Sequence, residues 1–305
     1  MACVPAPWRS RRGGRLVWIT QALLVMVLWA ACFPLIGLGL QDAPHLYFAG
    51  LRALLAGIAL LLVGMALGRP VPRGVMNWAQ LTGIGIGATT LAFLGMFHAS
   101  EFISPGLATV IANTQPILAT AVGYLLLGER PGWAGHTGMA LGFAGILLIA
   151  LPGGDALSGG GYALGLAYLL LATLGVTFSN VLIRRVAGAV DIVMAMAIQL
   201  LIGAVPLLLA AAMLEQADDI SWTGRFVFSL LTLGLAGTAL AYWLWCRVLA
   251  VTELYRANVF TYLVPGLGLA MGALFYDERV SMMTVFGVLL TLAAMSLVST
   301  KAGAR

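Results

Sequence analysis

Charge is what this 305-residue chain has least of: 9% of its residues are Asp, Glu, Lys or Arg, against about 25% in a soluble domain. With 61% hydrophobic residues, that deficit excludes an ordinary water-soluble globule. Alternating segments of about ten residues are missing as well, which excludes a membrane β-barrel. The three cysteines, Cys3, Cys32 and Cys246, are an odd number without metal-ligand spacing, so they read as free thiols packed among apolar groups. The three histidines, His45, His98 and His136, lie far apart, and no His-Glu-x-x-His is present. No catalytic residue, metal site or cofactor is therefore assigned. Gly83-x-Gly85-x-Gly87 follows no strand, so it reads as a close-packing surface and not a phosphate loop. The net charge of +5 comes without a soluble scaffold to carry a basic patch, so nucleic acid is not an expected partner.

What is present is a succession of charge-poor runs of roughly 20 residues, enough for about 30 Å of hydrocarbon. They predict ten helices near 16–40, 45–67, 77–98, 104–126, 134–151, 162–183, 192–214, 226–246, 256–276 and 282–299. Only helices satisfy so much backbone inside lipid. Arg9, Arg11, Arg12 and Arg15 precede the first run, which ends Trp29-Ala30-Ala31-Cys32 and so resembles a signal peptide; its continuation to Leu40 favours an uncleaved first helix. With the N-terminus inside, thirteen of the 16 Lys and Arg fall at inner ends, Arg225 and Arg279 fall outside, and Arg52 lies within a span. That asymmetry predicts both termini in the cytoplasm, and a bacterial inner membrane is the expected location. No acid lies deep in any run, which argues against tight proton coupling and against a carrier of bulky cations.

The chain repeats itself. Segments 89–130 and 238–279 align without a gap, 149 residues apart, with 12 of 42 positions identical. Thr89-x-Leu91-Ala92 leads through Pro116 to Glu129-Arg130; Thr238-x-Leu240-Ala241 leads through Pro265 to Glu278-Arg279. Each half holds five predicted helices. Because five is odd, the second copy would enter the membrane from the opposite side, an inverted repeat suited to alternating access. The expected fold is therefore all-α, with ten transmembrane helices in two inverted five-helix repeats around a central cavity. Its expected parts are a basic cytoplasmic segment 1–15, repeats 16–151 and 162–300, a linker 152–161 and a cytoplasmic tail 301–305.

Three motifs carry a family resemblance. They are Leu51-Arg52-Ala53-Leu54-Leu55-Ala56; Ala108-x-x-x-x-Asn113-x-x-Pro116 followed by Leu127-Gly128-Glu129-Arg130 and Gly138; and Ala257 through Pro265 to Glu278-Arg279 and Gly287. Together they resemble the EamA-type branch of the drug/metabolite transporter superfamily over essentially the whole chain. The resemblance implies two inverted five-helix halves, a central cavity, and outward transport of amino acids, related metabolites or drugs. Asp277 departs from the first copy, which has Gly128 before its Glu-Arg.

Polar stripes at helical spacing point to the pathway, because in lipid they would be costly and should face inward. Helix 6 carries Thr173, Thr177, Asn180 and Arg184, and helix 4 carries Thr109, Asn113, Pro116 and Thr120. Helix 8 carries Thr238, Tyr242 and Trp245, and helix 9 carries Asn258, Tyr262 and Pro265. The Thr residues equally satisfy the preceding turn's carbonyls. Candidate substrate contacts are Trp29, Phe33, Phe93, Asn113, Asn180, Tyr242, Trp245 and Tyr262. Pro116 and Pro265 should kink their helices, and Glu129-Arg130 and Glu278-Arg279 should form corner ion pairs or caps. Arg52, Gln199 and His98 serve either the pathway or the structure. The expected activity is a secondary transporter exporting amino acids, aromatic or large neutral ones as a first guess, or related small metabolites. A drug exporter is the nearest alternative, and an intramembrane enzyme or a non-transporting subunit belongs to other classes. Partners are a small-molecule substrate and membrane lipids, with monomer and homodimer both open.

Overall fold

The computed structural model describes residues 12–99, 102, 115–150, 161–276 and 282–300. Among them the regular structure is helical, apart from one isolated bridge between Ala187 and Val190. The helices are α1 (Arg12–Gly39), α2 (His45–Ala66), α4 (Gln115–Leu127), α5 (Trp133–Ala150), α6 (Tyr162–Val186), α7 (Ile192–Leu214) and α10 (Met282–Thr300), with three compound rods. Rod α3 runs Val75–Ile84, Gly85–Leu91 and Ala92–Ala99, its middle part a π-helix. Rod α8 runs Gly224–Thr232, Leu233–Leu240 and Ala241–Val251, again π in the middle. Rod α9 runs Leu254–Val259, a 3-10 turn Phe260–Tyr262, and Leu263–Tyr276.

Six stretches, in α1, α2, α3, α6, α7 and α8, are long and apolar enough to cross a membrane. The polarity is inside-out relative to a soluble bundle. Leu62, Leu125, Phe228 and Leu289 face outward while Thr89, Asn180, Gln199 and Asn258 are buried. Water offers such an exterior no stability; hydrocarbon does.

Packing follows a pattern that survives exchanging the two halves. Helix α2 lies along α7, and α5 lies along α10. Rod α3 packs on α6 as α8 packs on α1, and α4 meets α6 as α9 meets α1. The two π segments coincide under the same exchange, since Gly85–Leu91 shifted by the repeat interval falls on the last seven residues of Leu233–Leu240. Glycines allow the tightest crossings. A Cβ on Gly85 would lie 2.5 Å from the Gln199 carbonyl oxygen, and one on Gly175 would lie 2.8 Å from that of Gly87. The Gly83-x-Gly85-x-Gly87 stripe is thus a packing surface for α6 and α7, held also by Thr90 donating to the Gly203 carbonyl at 2.9 Å.

The helix corners are fastened by carboxylates. Gly128, at φ 67°, ends α4 in the left-handed conformation, and the Glu129 N–H closes back on the Gly123 carbonyl at 3.1 Å. That turn aims Glu129 at the start of α9, where it accepts from the N–H groups of Leu254 (2.8 Å) and Tyr255 (3.4 Å). Its ion-pair partner is Arg184, at 2.6 Å, from the end of α6. Arg130, its neighbour in sequence, is exposed. At the opposite end Glu215 accepts from Leu46 and Tyr47 at the start of α2, both at 2.9 Å, and Asp42 holds Arg225 through two hydrogen bonds.

Candidate functional site

Five helices, two from the first half and three from the second, meet around a buried cluster of aromatic rings and amides. Trp29 of α1 stands edge-on to Tyr242 of α8, ring centres 6.4 Å apart, and is tilted against Trp245 at 5.3 Å. Such contacts are worth about 1 kcal/mol beyond area burial. From Trp245 a polar chain runs on. Its indole N–H donates to Asn180 Oδ1 (3.1 Å), and Asn180 Nδ2 donates to Asn258 Oδ1 (3.4 Å). Gln115 Nε2 donates to the same oxygen at 2.9 Å, bringing in α4. Asn258 Nδ2 in turn donates to the Leu254 carbonyl at 2.8 Å. Asn180, Trp245 and Asn258 are almost fully buried.

The tyrosine end of the cluster touches the first π segment, where Tyr242 Oη donates to the Ala88 carbonyl at 3.0 Å. The second π segment approaches from the other side. Gly237 there leaves room for the Cys32 thiol, whose sulfur lies 4.0 Å from the Gly237 carbonyl oxygen. Tyr242 and Phe93, which correspond in the repeat, each follow their own π segment by two residues. π turns recur at functional sites because they shift the helical register and release backbone groups.

Arg52 of α2 lies beside this region. Its guanidinium sits 4.1 Å above the Phe93 ring, the side chain is buried, and Cys32 and Tyr242 are titratable groups within electrostatic reach of it. Among the described residues no carboxylate pairs with it, and its Nε has no hydrogen-bond partner. An arginine at the centre of a bilayer costs about 3 kcal/mol on insertion scales, and the cation–π contact returns about 1–2 kcal/mol of that.

The remaining candidates are scattered. Tyr262 is fully buried against Gly142, its hydroxyl 3.5 Å from the Met139 carbonyl oxygen, so it wedges α9 on α5 away from the Trp29 cluster. Gln199 accepts from Thr89 at 3.1 Å between α3 and α7. His98 binds the Leu94 carbonyl through Nδ1 and stacks near His45 and Tyr168 at 5.3 Å, at the end of the bundle that holds Glu215. Thr173 and Thr177 donate to the carbonyls of Leu169 and Thr173 one turn earlier. The 3-10 turn Phe260–Tyr262 falls just before Pro265, which has no N–H and crowds the Thr261 carbonyl. Pro116 stands at the start of described α4, its carbonyl accepting from Thr120 at 2.8 Å. Thr109, Asn113, Glu278 and Arg279 lie outside the described residues, as does the side chain of Phe33.

Gln115 and the two π segments carry no signal in the sequence, and Asn258 lies on the polar stripe of helix 9 outside the candidate contacts. For Asn258 the signal was there, as an amide one turn before Tyr262 on a buried face. Two grooves open on the outside of the bundle, neither including Trp29, Tyr242 or Trp245. One of 340 Å³ lies between α2 and α8, and one of 710 Å³ runs from Leu60 and Leu240 to Arg69, Asp191 and Arg247.

Comparison with known proteins bears on the whole chain. The EamA-like transporter family matches it twice, over residues 16–151 and 163–300. A probable amino-acid metabolite efflux pump of Salmonella typhimurium is 30% identical, covering 94% of each chain, and the like-named protein of Escherichia coli is 29% identical over 94% of each. An uncharacterized transporter of Bacillus subtilis, YvbV, is 27% identical over 92% of this chain and 91% of its own. One crystal structure superposes with a TM-score of 0.82 over 96% of this chain and 98% of the other, at 19% identity, a likeness of fold alone. Twice-matched and apolar along most of its length, this integral multi-pass membrane protein belongs to the EamA-like transporter family.

Proposed function

We propose that the protein is a secondary transporter that exports amino acids or related small metabolites by alternating access, and not an enzyme. In this reading ten helices span the membrane as two inverted five-helix repeats, 16–151 and 162–300, with both termini in the cytoplasm of a bacterial cell. The linker is 152–161, and segments 1–15 and 301–305 flank the bundle. One observation carries the reading: the buried chain Trp29–Trp245–Asn180–Asn258 draws on both halves and lies at their seam. Polar groups are expensive inside a membrane protein, and a site between halves is where rocking would expose them alternately to each side. The half-exchanging packing pattern and the matched π segments support the two-fold relation. The names of the Salmonella and Escherichia relatives support the substrate class. Trp29, Tyr242 and Trp245 offer rings to an apolar side chain, and Asn180 offers an amide to its polar end. Pro265 and Pro116 kink their helices in this scheme, while Arg184–Glu129 holds one corner and Glu278-Arg279 is proposed to hold the other.

The test is counterflow in proteoliposomes with a panel of labelled amino acids, with and without a pH gradient. Flux of at least one amino acid is expected, reduced by Tyr242→Ala or Trp245→Ala at equal membrane abundance. Absence of flux for the whole panel would overturn the substrate class, and unchanged flux in both variants would move the site elsewhere.

A further inference from the structure

Arg52 is the one described cation buried within a span that has neither a carboxylate partner nor a hydrogen bond among the described residues. Most other polar groups named in the bundle interior find partners: Thr89 has Gln199, Asn180 has Trp245 and Asn258, and Glu129 has Arg184, while Gln199 Nε2 and Ser229 Oγ stay unpartnered but carry no charge. Phe93 stacks on one face of the guanidinium, which leaves the in-plane edge open, and there Nε has no partner among the described residues. An arginine presents five N–H groups in a fork matched to a planar two-oxygen anion. The sequence offers no acid within a span to fill that fork from inside the protein.

We propose that Arg52 binds the carboxylate of the transported substrate, so that the site selects small monocarboxylates whose apolar part lies on the Trp29–Tyr242–Trp245 rings. This rests on the transporter reading above and names the group that the site recognises. The pairing of functions is supported because Tyr242 stands edge-on to Trp29 and Arg52 sits over Phe93, the repeat counterpart of Tyr242, with Tyr242 within electrostatic reach of the guanidinium. The Tyr242 hydroxyl donates to the Ala88 carbonyl but keeps its acceptor lone pairs, and Asn180 Nδ2 keeps a second N–H, so both can still serve a substrate's second polar group. A phosphate dianion fits poorly, because one guanidinium faces it and no second described cation stands near Tyr242. A ligand-free Arg52 carries an uncompensated charge in low dielectric. A carboxylate supplies the counter-ion, so the occupied site carries less uncompensated charge in low dielectric than the empty one.

The experiment uses the full-length protein and four probes: L-phenylalanine, 3-phenylpropionate, L-phenylalanine methyl ester and 2-phenylethylamine. Binding is read in detergent from tryptophan fluorescence, which Trp29 and Trp245 report, and transport from competition in proteoliposome counterflow. The two carboxylates are expected to bind at least about tenfold more tightly than the ester and the amine, the scale of a charge-assisted hydrogen bond. Arg52→Gln should bring the carboxylates down to the ester's level, and Arg52→Lys should keep part of the difference. Equal binding of acid and ester by the unsubstituted protein overturns the proposal without needing any variant to fold. A preference that persists in Arg52→Gln overturns it too. Flux without carboxylate preference sinks this proposal and leaves the transporter reading standing. Carboxylate-selective binding without flux does the reverse. If none of the probes binds or moves, both fall.

Discussion

Glu129→Ala tests the corner between α4, α6 and α9. Three partners lose their acceptor at once: the N–H groups of Leu254 and Tyr255, and the Arg184 guanidinium. The Tyr255 bond is long at 3.4 Å and contributes least. The Leu254 bond is a capping interaction, worth about 1 kcal/mol. Arg184 is a quarter exposed and still donates to the Thr252 carbonyl at 2.5 Å, so it is not wholly orphaned. Removing its buried partner therefore costs about 1–3 kcal/mol, below the 3–5 of a fully buried pair. The total, about 2–4 kcal/mol, corresponds to a fall in melting temperature of roughly 3–6 °C for a chain of this size. Thermal unfolding in detergent followed by intrinsic fluorescence measures it, and hydrogen exchange localises it, since the Leu254 and Tyr255 amides should exchange faster. The double variant with Arg184→Ala should lose less than the sum of the single variants, because the shared contact is counted once. A melting temperature within about 1 °C of the parent, or strict additivity, would refute the cap and its ion pair.

Trp245→Phe keeps the ring and deletes the donor to Asn180, so transport should fall about five- to thirtyfold while the protein stays folded, as loss of a roughly 1–2 kcal/mol hydrogen bond requires. Equal rates in counterflow would show that the Trp245–Asn180 bond is dispensable. Gly85→Ala pushes a methyl group toward the Gln199 carbonyl, 2.5 Å away, and should destabilise by about 1–3 kcal/mol, read as a lower melting temperature. Gly68→Ala, with nothing near the added atom but a positive φ of 61°, should cost less, about 1 kcal/mol from the backbone. Asp42 is held below its usual pKa of 3.8 by hydrogen bonds from Arg225. A depressed folded-state value means that its contribution is complete above that usual value and disappears as pH falls through the lower one. The stability gap between the protein and Asp42→Asn should thus be constant from neutrality to about pH 5 and close only in stronger acid. A gap that closes near neutrality would assign it to another group.

Where helices run was legible because hydropathy and caps agree with tertiary structure. The run expected at 192–214 is α7 as found, Ile192–Leu214, its start fixed by Asp191 accepting from Val193 and Met194. The end expected for α8 at 246 fell short of Val251, because Arg247 read as the onset of a loop. Arg247 instead lies 5.0 Å from the Trp243 ring centre and continues the helix, a long side chain shielding apolar surface while its charge reaches the rim. The site was legible where polarity recurred on one face, as with Asn180, Tyr242 and Trp245. It was not legible where partners are remote in sequence. Glu129 sits next to Arg130 yet pairs with Arg184, since a turn of left-handed Gly128 directs it across the bundle. Tyr262, equally polar and equally mid-helix, went to α5 because Gly142 leaves room there for a ring. The π segments change hydrogen bonding without changing side-chain periodicity enough to read.

Those two segments also carry a history. A π turn arises when one residue is added to an α-helix, and here the addition stands at the same register in α3 and α8. One insertion before the gene doubled accounts for both, whereas two later insertions at one register would be a coincidence. The ancestral unit, of the length that the family matches twice, then already bore the bulge. Deleting one residue from either segment would return that helix to its older form. The aromatic that follows, Phe93 or Tyr242, would keep its place while the backbone groups released by the bulge were paired again.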